Sequence, residues 1–213
     1  IGLHSLSFTY PGAGNEPVLS NIDLYIPEGK TTAIVGMSGS GKTTILKLLL
    51  RFYLPQKGEI KVGATALEQI GYRYWRGQCG IVMQDGFIFS DTIAKNIAVA
   101  DEYPDTNKLK HAIKMANIED LIDGLPLGLG TKIGAEGNGI SQGQKQRILI
   151  ARAVYKNPEY IFFDEATSAL DANTQQLLYK QLMQLAASKN GAFVSITVMV
   201  IGAITRTLRN SCQ

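Results

Sequence analysis

The N-terminal part of the chain alternates apolar and polar residues over 1–10 and again over 18–26, with the turn-forming PGAGNEP between them. A period of two predicts β-strands, because every second side chain of a strand lies on the same face. Residues 58–70 predict a further strand followed by a turn. Short, continuously apolar runs predict buried strands at TTAIVG (31–36), CGIVMQD (79–85), YIFFDE (160–165) and 193–201.

Helical periodicity dominates the rest of the chain. KTTILKLLLRFY (42–53) predicts a helix directly after TTAIVG, and residues 172–187 predict the last helix. Between them, TIAKNIAVA, NKLKHAIKMANIEDLIDGL and QKQRILIARAVYKN are mostly helical, with a glycine-containing loop at 124–143. Strands that alternate with helices predict an α/β domain with a mainly parallel sheet. We expect a single domain over 1–213, with a core from about 1–90 and 158–213 and an inserted helical lobe from about 91–157.

The composition of the chain mainly excludes classes of protein and of partner. The 213 residues, 45% hydrophobic and 18% charged, suit one globular domain, and a net charge of +3 without a basic block argues against a nucleic-acid partner. Cys79 and Cys212 lack metal-ligand spacing, which favours a reducing compartment. The opening IGLHSLSFTY alternates like a strand and lacks a basic lead and a long apolar run, so it is not expected to be a signal peptide. The most apolar run, AFVSITVMVIGAI, has thirteen residues. A spanning helix needs about 20, so we expect no membrane span.

The segment GMSGSGKTT (36–44) satisfies the phosphate-binding pattern G-x-x-x-x-G-K-[ST] between a predicted strand and a predicted helix. Glycines let successive backbone N–H groups face a phosphate, Lys42 supplies a cation for the β and γ oxygens, and the Thr43 hydroxyl is a ligand for Mg²⁺. A chance glycine turn is the alternative, and the strand–helix context disfavours it. Nucleotide contacts are expected from Gly36, Met37, Ser38, Gly39, Ser40, Gly41, Lys42, Thr43 and Thr44.

Two carboxylates end the apolar strand YIFFDE. Asp164 is predicted to bind the metal, and Glu165 to accept or orient the proton of the attacking water. Paired acids at a strand end also occur in plain solvated turns, but the phosphate-binding loop upstream favours the catalytic interpretation. Together the two motifs predict a site for a nucleoside triphosphate with Mg²⁺.

The polar stretch GNGISQGQKQR (137–147) precedes a strongly apolar helix. Ser141 can act there as a simple helix N-cap. Alternatively, the unpaired N–H groups and the dipole of the helix start form an anion site. The stretch alone leaves both interpretations open.

ISQGQKQR at 140–147 resembles the signature motif of ATP-binding-cassette (ABC) ATPases, LSGGQ followed by a basic residue and QR. Further motifs follow the order of that family: Tyr10 in SFTYP, Gln84 in VMQD, and Asp171 at the end of TSALD. The resemblance extends from residue 1 to about 190. It implies the ABC ATPase fold, an α/β P-loop NTPase core with a mainly parallel sheet, an N-terminal antiparallel β subdomain and an inserted α-helical lobe.

The resemblance also implies residue roles. Tyr10 would stack on adenine, and Asp171 would take the place of the aspartate of the family's D-loop. The catalytic residues would be Glu165, Gln84 and Lys42, and the metal ligands Thr43, Gln84 and Asp164. Two domains would pair head to tail around two ATP molecules. The signature loop of one would then contact the ATP of the other through Ser141, Gln142, Gly143 and Gln144, with Gln142 in place of the family's usual glycine.

Two loops resemble the exporter branch. TKIGAEGNG (131–139) resembles the segment that contacts transmembrane domains, with a plain surface loop as the alternative. Residues 72–98 resemble bacterial exporters that process and secrete peptides. YRYW (72–75) is expected to pack against the core and a coupling helix. The implied partners are a second nucleotide-binding domain, in a homodimer or pseudo-dimer, and transmembrane domains that hold the chain at the cytoplasmic side of the inner membrane.

Other classes fit less well. A soluble ABC protein of DNA repair or translation would carry coiled-coil insertions or basic segments, and a P-loop kinase would leave the signature and SALD unexplained. A regulatory module that binds ATP without turnover stays open, because the family's C-terminal histidine is missing. The only histidines are His4 and His111, and TVMVIGAITRTLRN (197–210) places Ala203 at that position. We therefore expect ATP binding with slow hydrolysis, in a chain shortened at its C-terminus relative to the family.

Overall fold

The computed structural model describes residues 1–12, 14–83, 85–135, 137, 139–164, 172–187 and 192–198, of which 186–187 and 192–198 are described as backbone only. The strands are β1 Gly2–Phe8, β2 Leu19–Tyr25, β3 Thr31–Gly36, β4 Lys57–Val62, β5 Thr65–Ala66, β6 Cys79–Val82, β7 Asp91–Thr92, β8 Lys132–Ile133, β9 Tyr160–Asp164 and β10 Ala192–Val198. The helices are α1 Lys42–Leu49, α2 Tyr72–Gln78, α3 Ile93–Ile97, α4 Thr106–Met115, α5 Glu119–Asp123, α6 Gln142–Tyr155 and α7 Ala172–Ala187, with single 3₁₀ turns at Leu67–Gln69 and Gly128–Gly130.

Two four-stranded sheets organise these elements. The order β2-β1-β4-β5 is antiparallel throughout, and the order β3-β10-β9-β6 is parallel throughout. A small ribbon pairs β7 with β8. The parallel core and the N-terminal antiparallel sheet confirm the predicted fold class. Because β3 and β9 are parallel and separated only by β10, their carboxyl ends lie at the same edge of the sheet.

The core has two clusters that meet at β9. Phe162 belongs to the cluster formed with the N-terminal sheet and α1, whereas Phe163 belongs to the cluster formed with α3, α4 and α6. Successive side chains of a strand point to opposite faces, so two adjacent phenylalanines serve two cores. Both are almost fully buried. Strand β9 therefore places its last residue, Asp164, between two well-packed layers.

The first helix is shorter than predicted. The pattern predicts 42–53, but α1 ends at Leu49, and Arg51 adopts a left-handed φ of 55°. The N–H of Phe52 donates to the carbonyl of Lys47, and that of Arg51 to the carbonyl of Leu48, both at 2.9 Å. This pair of hydrogen bonds is the Schellman ending, which usually has glycine at the left-handed position. The Arg51 guanidinium bonds to the Ile70 carbonyl, a tertiary contact that sequence periodicity does not contain.

The segment predicted as one helical stretch over 107–125 is divided in the same way. Helix α4 ends at Met115, and Asn117 has a φ of 52°. The N–H of Ile118 donates to the carbonyl of Ile113 at 3.2 Å before α5 begins. Asparagine tolerates the left-handed region better than most residues. Asn117 was therefore a readable stop signal within a continuous apolar pattern.

The aromatic segment 72–75 behaves partly as expected. Trp75 is buried at 2% exposure and donates from Nε1 to the Leu49 carbonyl at 2.6 Å, which ties α2 to the end of α1. Tyr74 is 66% exposed. Across the described residues, every helix is too short or too polar to cross a membrane.

Candidate functional site

The turn from β3 to α1 has the backbone shape that its glycines predict. Gly39 and Gly41 have φ angles of 80° and 86°, in the region that side chains disfavour. Gly41 is the N-cap of α1, and a Cβ there would lie 2.7 Å from Cδ2 of Leu19 and 3.2 Å from the Val18 carbonyl oxygen. A larger residue at 41 would collide with the start of β2. The loop is thus shaped both by its own torsions and by the neighbouring sheet.

Lys42 is folded into this loop. Its side chain is 6% exposed, and Nζ donates to the carbonyl oxygens of Gly36 at 3.0 Å and Met37 at 2.6 Å. The Ser40 hydroxyl lies 3.4 Å from the same nitrogen. A buried ammonium needs such oxygens, because an unpaired charge is costly to desolvate. The ammonium is therefore held at the loop, where an anionic ligand would meet it.

Thr43 and Asp164 meet although they are 121 residues apart in the chain. Thr43 Oγ1 donates to Asp164 Oδ1 at 3.1 Å. Asp164 is 4% exposed, and its burial raises the pKa of the carboxyl, against the opposing effects of the Thr43 hydrogen bond and of the charges of Lys47 and Lys42. A hydroxyl and a carboxylate are oxygen donors of the kind that Mg²⁺ prefers. The residues present fit the ion that the sequence predicts.

Tyr10 forms a wall of the same site. Its hydroxyl hydrogen-bonds with the Thr44 hydroxyl at 3.0 Å, and its ring meets Phe8 and Tyr53 nearly edge-on, at centroid distances of 5.0 and 5.2 Å. An open cleft of about 410 Å³ lies beside it. The cleft is lined by Tyr10, Val18, Ser38, Gly39, Gly41, Lys42, Thr43 and Thr44. The cleft therefore brings six of the nine predicted phosphate-loop residues together with the predicted base-stacking tyrosine, whereas Gly36, Met37 and Ser40 do not line it.

The signature segment lies at the start of α6. Ser141 Oγ accepts from the N–H of Gln144 at 3.2 Å, and Gln144 Oε1 accepts from the N–H of Ser141 at 2.8 Å, which is a complete capping box. Ser141 and Gln142 are both exposed, and neither lines the cleft. The N-cap interpretation is confirmed. An anion site for a partner's nucleotide stays a prediction. The start of α6 is exposed, so such a ligand could reach it.

Several predicted site residues lie outside the described part of the chain. These are Gln84, Glu165, Asp171 and the Ala203 position of the missing histidine. Their roles stay predictions.

Sequence reasoning missed a buried cluster of polar hydrogen bonds around Asn96. Asn96 is fully buried, and its amide nitrogen donates to the carbonyls of Phe89, Asp91 and Thr92 at 2.9–3.2 Å. Arg152, from α6, donates to the Asn96 carbonyl at 2.7 Å and to the Phe87 carbonyl at 2.8 Å. Burial lowers the pKa of this guanidinium. The available signal was one asparagine inside the apolar run TIAKNIAVA.

Known proteins are similar to this chain in sequence and in fold. The ABC transporter family profile matches residues 19–168. ABC transporter B family member 21 of Arabidopsis thaliana is 37% identical over 211 residues, which is 99% of this chain and 16% of that protein. The ATP-dependent lipid A-core flippase of Chromobacterium violaceum is 40% identical over 211 residues, 99% of this chain and 35% of the flippase.

A solved structure of an ABC exporter is similar to this chain as well. A bacterial Atm1-family ABC exporter with ATP bound superposes with a TM-score of 0.85 at 36% identity, over 92% of this chain and 34% of the exporter chain. The chain thus spans between about a sixth and about a third of the length of these relatives. The chain belongs to the ABC transporter family, as a nucleotide-binding domain of the exporter type.

Proposed function

We propose that this chain binds Mg-ATP in the cleft between Tyr10 and the β3–α1 loop, and hydrolyses it to drive export through the transmembrane domains of a larger protein. ATP binding and hydrolysis are typical of ABC ATPase domains. The observation that carries the proposal is the Thr43–Asp164 hydrogen bond beside the buried Lys42 ammonium. It places a cation, a hydroxyl and a carboxylate around one glycine turn.

The phosphates would be bound by the loop and the first turn of α1. The N–H groups at a helix start have no intrahelical partner and point outward, where an anion is favoured. Lys42 would exchange part of its bonding to the Gly36 and Met37 carbonyls for β and γ oxygens. Thr43 and Asp164 would hold Mg²⁺, which when bound neutralises phosphate charge. Glu165 and Gln84 would orient the attacking water.

The second half of the site is proposed to come from another copy of this domain, or from a similar one. The exposed Ser141 and Gln142 at the start of α6 would meet the γ-phosphate bound by the partner, with the N–H groups of the helix start as donors. The capping box fixes the backbone conformation of that helix start. We place the assembly at the cytoplasmic side of the inner membrane, held there by its transmembrane domains.

The transported substrate is proposed from similarity to other exporters and not from a substrate-binding residue of this chain. Residues 72–98 resemble peptide-secreting exporters, which makes a peptide the first candidate. A relative named as a lipid A-core flippase makes a lipid the second. Transport of each class by vesicles that contain the whole protein separates the two.

Nucleotide binding is tested by calorimetric titration of Mg-ATP into Lys42→Ala and into Lys30→Ala as the control. Lys30 is exposed and outside the cleft, so both variants lose one lysine charge but only one loses a site cation. We expect Lys42→Ala to weaken binding at least tenfold and Lys30→Ala to leave it unchanged. Equal affinity of both variants contradicts the site.

A further inference from the structure

Lys47 is a cation beside the nucleotide cleft, outside its lining residues, with no assigned role. It lies on α1 three residues after Thr44 and four after Thr43, so its side chain neighbours each of the two threonines on the helix surface. Its side chain is half-buried, and Nζ lies 5.4 Å from the centroid of the Tyr10 ring. Across the described residues its ammonium makes no hydrogen bond or ion pair; it lies over this ring, and its charge also acts on the Asp164 carboxyl.

Helix α1 therefore reaches Tyr10 at two points. Thr44 bonds the hydroxyl at 3.0 Å, and Lys47 lies over the ring. Phe8 and Tyr53 complete the surroundings with uncharged, nearly perpendicular rings. Tyr10 follows the end of β1, and its contact with Phe8 relates the ring to its own strand and not to the phosphate loop. The two contacts from α1 supply that link.

We propose that Lys47 is a positioning residue for the base of the bound nucleotide, acting through Tyr10: its ammonium holds the aromatic ring at a fixed place relative to the helix that binds the phosphates. The inference rests on the proposed function and deepens it. A ring that is already oriented loses less freedom when the base stacks on it, which raises affinity. A cation–π contact at a partly exposed site corresponds to about two- to fivefold in a binding constant.

A competing route exists through charge alone. Lys47 is close enough to Asp164 to affect its carboxyl, so the ammonium could instead act directly on the metal and the phosphates. The two routes differ in what they require of the ligand. Action through Tyr10 requires a base, whereas direct action requires only phosphate and metal.

The test compares Mg-ATP with Mg-bound inorganic tripolyphosphate, which has no base, by calorimetric titration. Lys47→Met keeps the apolar stem and removes the charge, Lys47→Arg keeps the charge, and Lys30→Met is a remote charge control. We expect Lys47→Met to weaken ATP about two- to fivefold and leave tripolyphosphate unchanged. Lys47→Arg and Lys30→Met should bind ATP as the unmodified protein does. In a Tyr10→Leu background, Lys47→Met should have no further effect.

Three results overturn the inference. Equal weakening of both ligands by Lys47→Met assigns the residue to direct electrostatics. An unchanged ATP affinity removes any role, and an undiminished effect in the Tyr10→Leu background removes the path through the ring. Failure of the proposed function is distinguishable, because the unmodified protein would then bind neither ligand.

Discussion

At the scale of single residues, Asp164 combines two opposing demands. Its place at the end of a buried strand suits a metal ligand, but burial raises the pKa of the carboxyl and disfavours its charged form. A raised pKa in the folded state means that the unfolded state releases the proton more easily. Stability is therefore lost as pH rises above the ordinary Asp value of 3.8 toward the folded pKa.

Asp164→Asn should accordingly stabilise the nucleotide-free protein while it weakens Mg-ATP binding. The amide keeps an oxygen that accepts from Thr43 and removes the buried charge. Urea unfolding at pH values between 4 and 8 should show an advantage of Asp164→Asn that grows with pH and then levels off. An advantage that shrinks as pH rises would contradict the cause given for the pKa shift.

At the scale of elements, helix and strand types were predicted, but two helix ends were missed. Apolar periodicity continues through Arg51 and Asn117, whereas each residue adopts a left-handed conformation that ends its helix. Asparagine gives a local warning of such an ending. Arginine does not, and its conformation is accompanied by a bond from its guanidinium to the Ile70 carbonyl. Apolar periodicity indicates which side of an element faces the core, but it does not indicate a hydrogen bond between a side chain and a distant carbonyl.

The cluster of hydrogen bonds around Asn96 connects α3, the 87–92 segment and α6, and its removal should be costly. Asn96→Leu has a similar shape but leaves the partner carbonyls, the Phe89 N–H and an Arg152 nitrogen without this partner. A buried polar group left unsatisfied costs about 1–3 kcal/mol. Several at once should lower the free energy of unfolding by about 3 kcal/mol or more.

Urea unfolding of Asn96→Leu measures this loss, with Asn107→Leu as the control. Asn107 is exposed on α4, where a surface substitution changes stability by about 0.5 kcal/mol or less. Similar unfolding free energies for the two variants would show that the cluster is not important for stability.

At the scale of the whole molecule, the proposed site is complete only between two domains. Glu165→Gln keeps the groups that bind Mg-ATP but removes the base for the attacking water, so it should give a stable ATP-bound dimer. Light scattering with saturating Mg-ATP measures the mass. Ser141→Arg added to this variant should return it to a monomer, because bulk and charge are placed at the exposed start of α6. A monomer with Glu165→Gln alone would contradict the head-to-tail pairing.

Turnover is predicted to be slow, because the sequence match places Ala203 at the position of the family's histidine, where an alanine would offer no donor to the γ-phosphate. Loss of a donor to the transition state typically costs about 10²–10³ in rate. Ala203→His should raise steady-state phosphate release at least tenfold, and Thr205→His, two residues further on, should not. Rapid hydrolysis by the unmodified chain would refute the prediction.

The sequence by itself determined the features that depend on consecutive residues. The phosphate-loop glycines, the start of α1 at Lys42, the capping pair Ser141–Gln144 and the apolar strand ending in Asp164 follow from local torsions, helix-end chemistry and burial. The order of the motifs was sufficient to identify the family. Strand alternation likewise predicted a parallel core before any contact was known.

Only the tertiary structure decided which distant residues meet. The parallel order β3-β10-β9 places the ends of β3 and β9 at one edge of the sheet, where Thr43 Oγ1 lies 3.1 Å from Asp164 Oδ1. Tyr10 meets α1 through Thr44 and Lys47. Arg152 reaches Asn96 across 56 residues of chain. The physical reason is that periodicity specifies which face of an element is buried, whereas the partner across that face is selected by the packing of the whole chain.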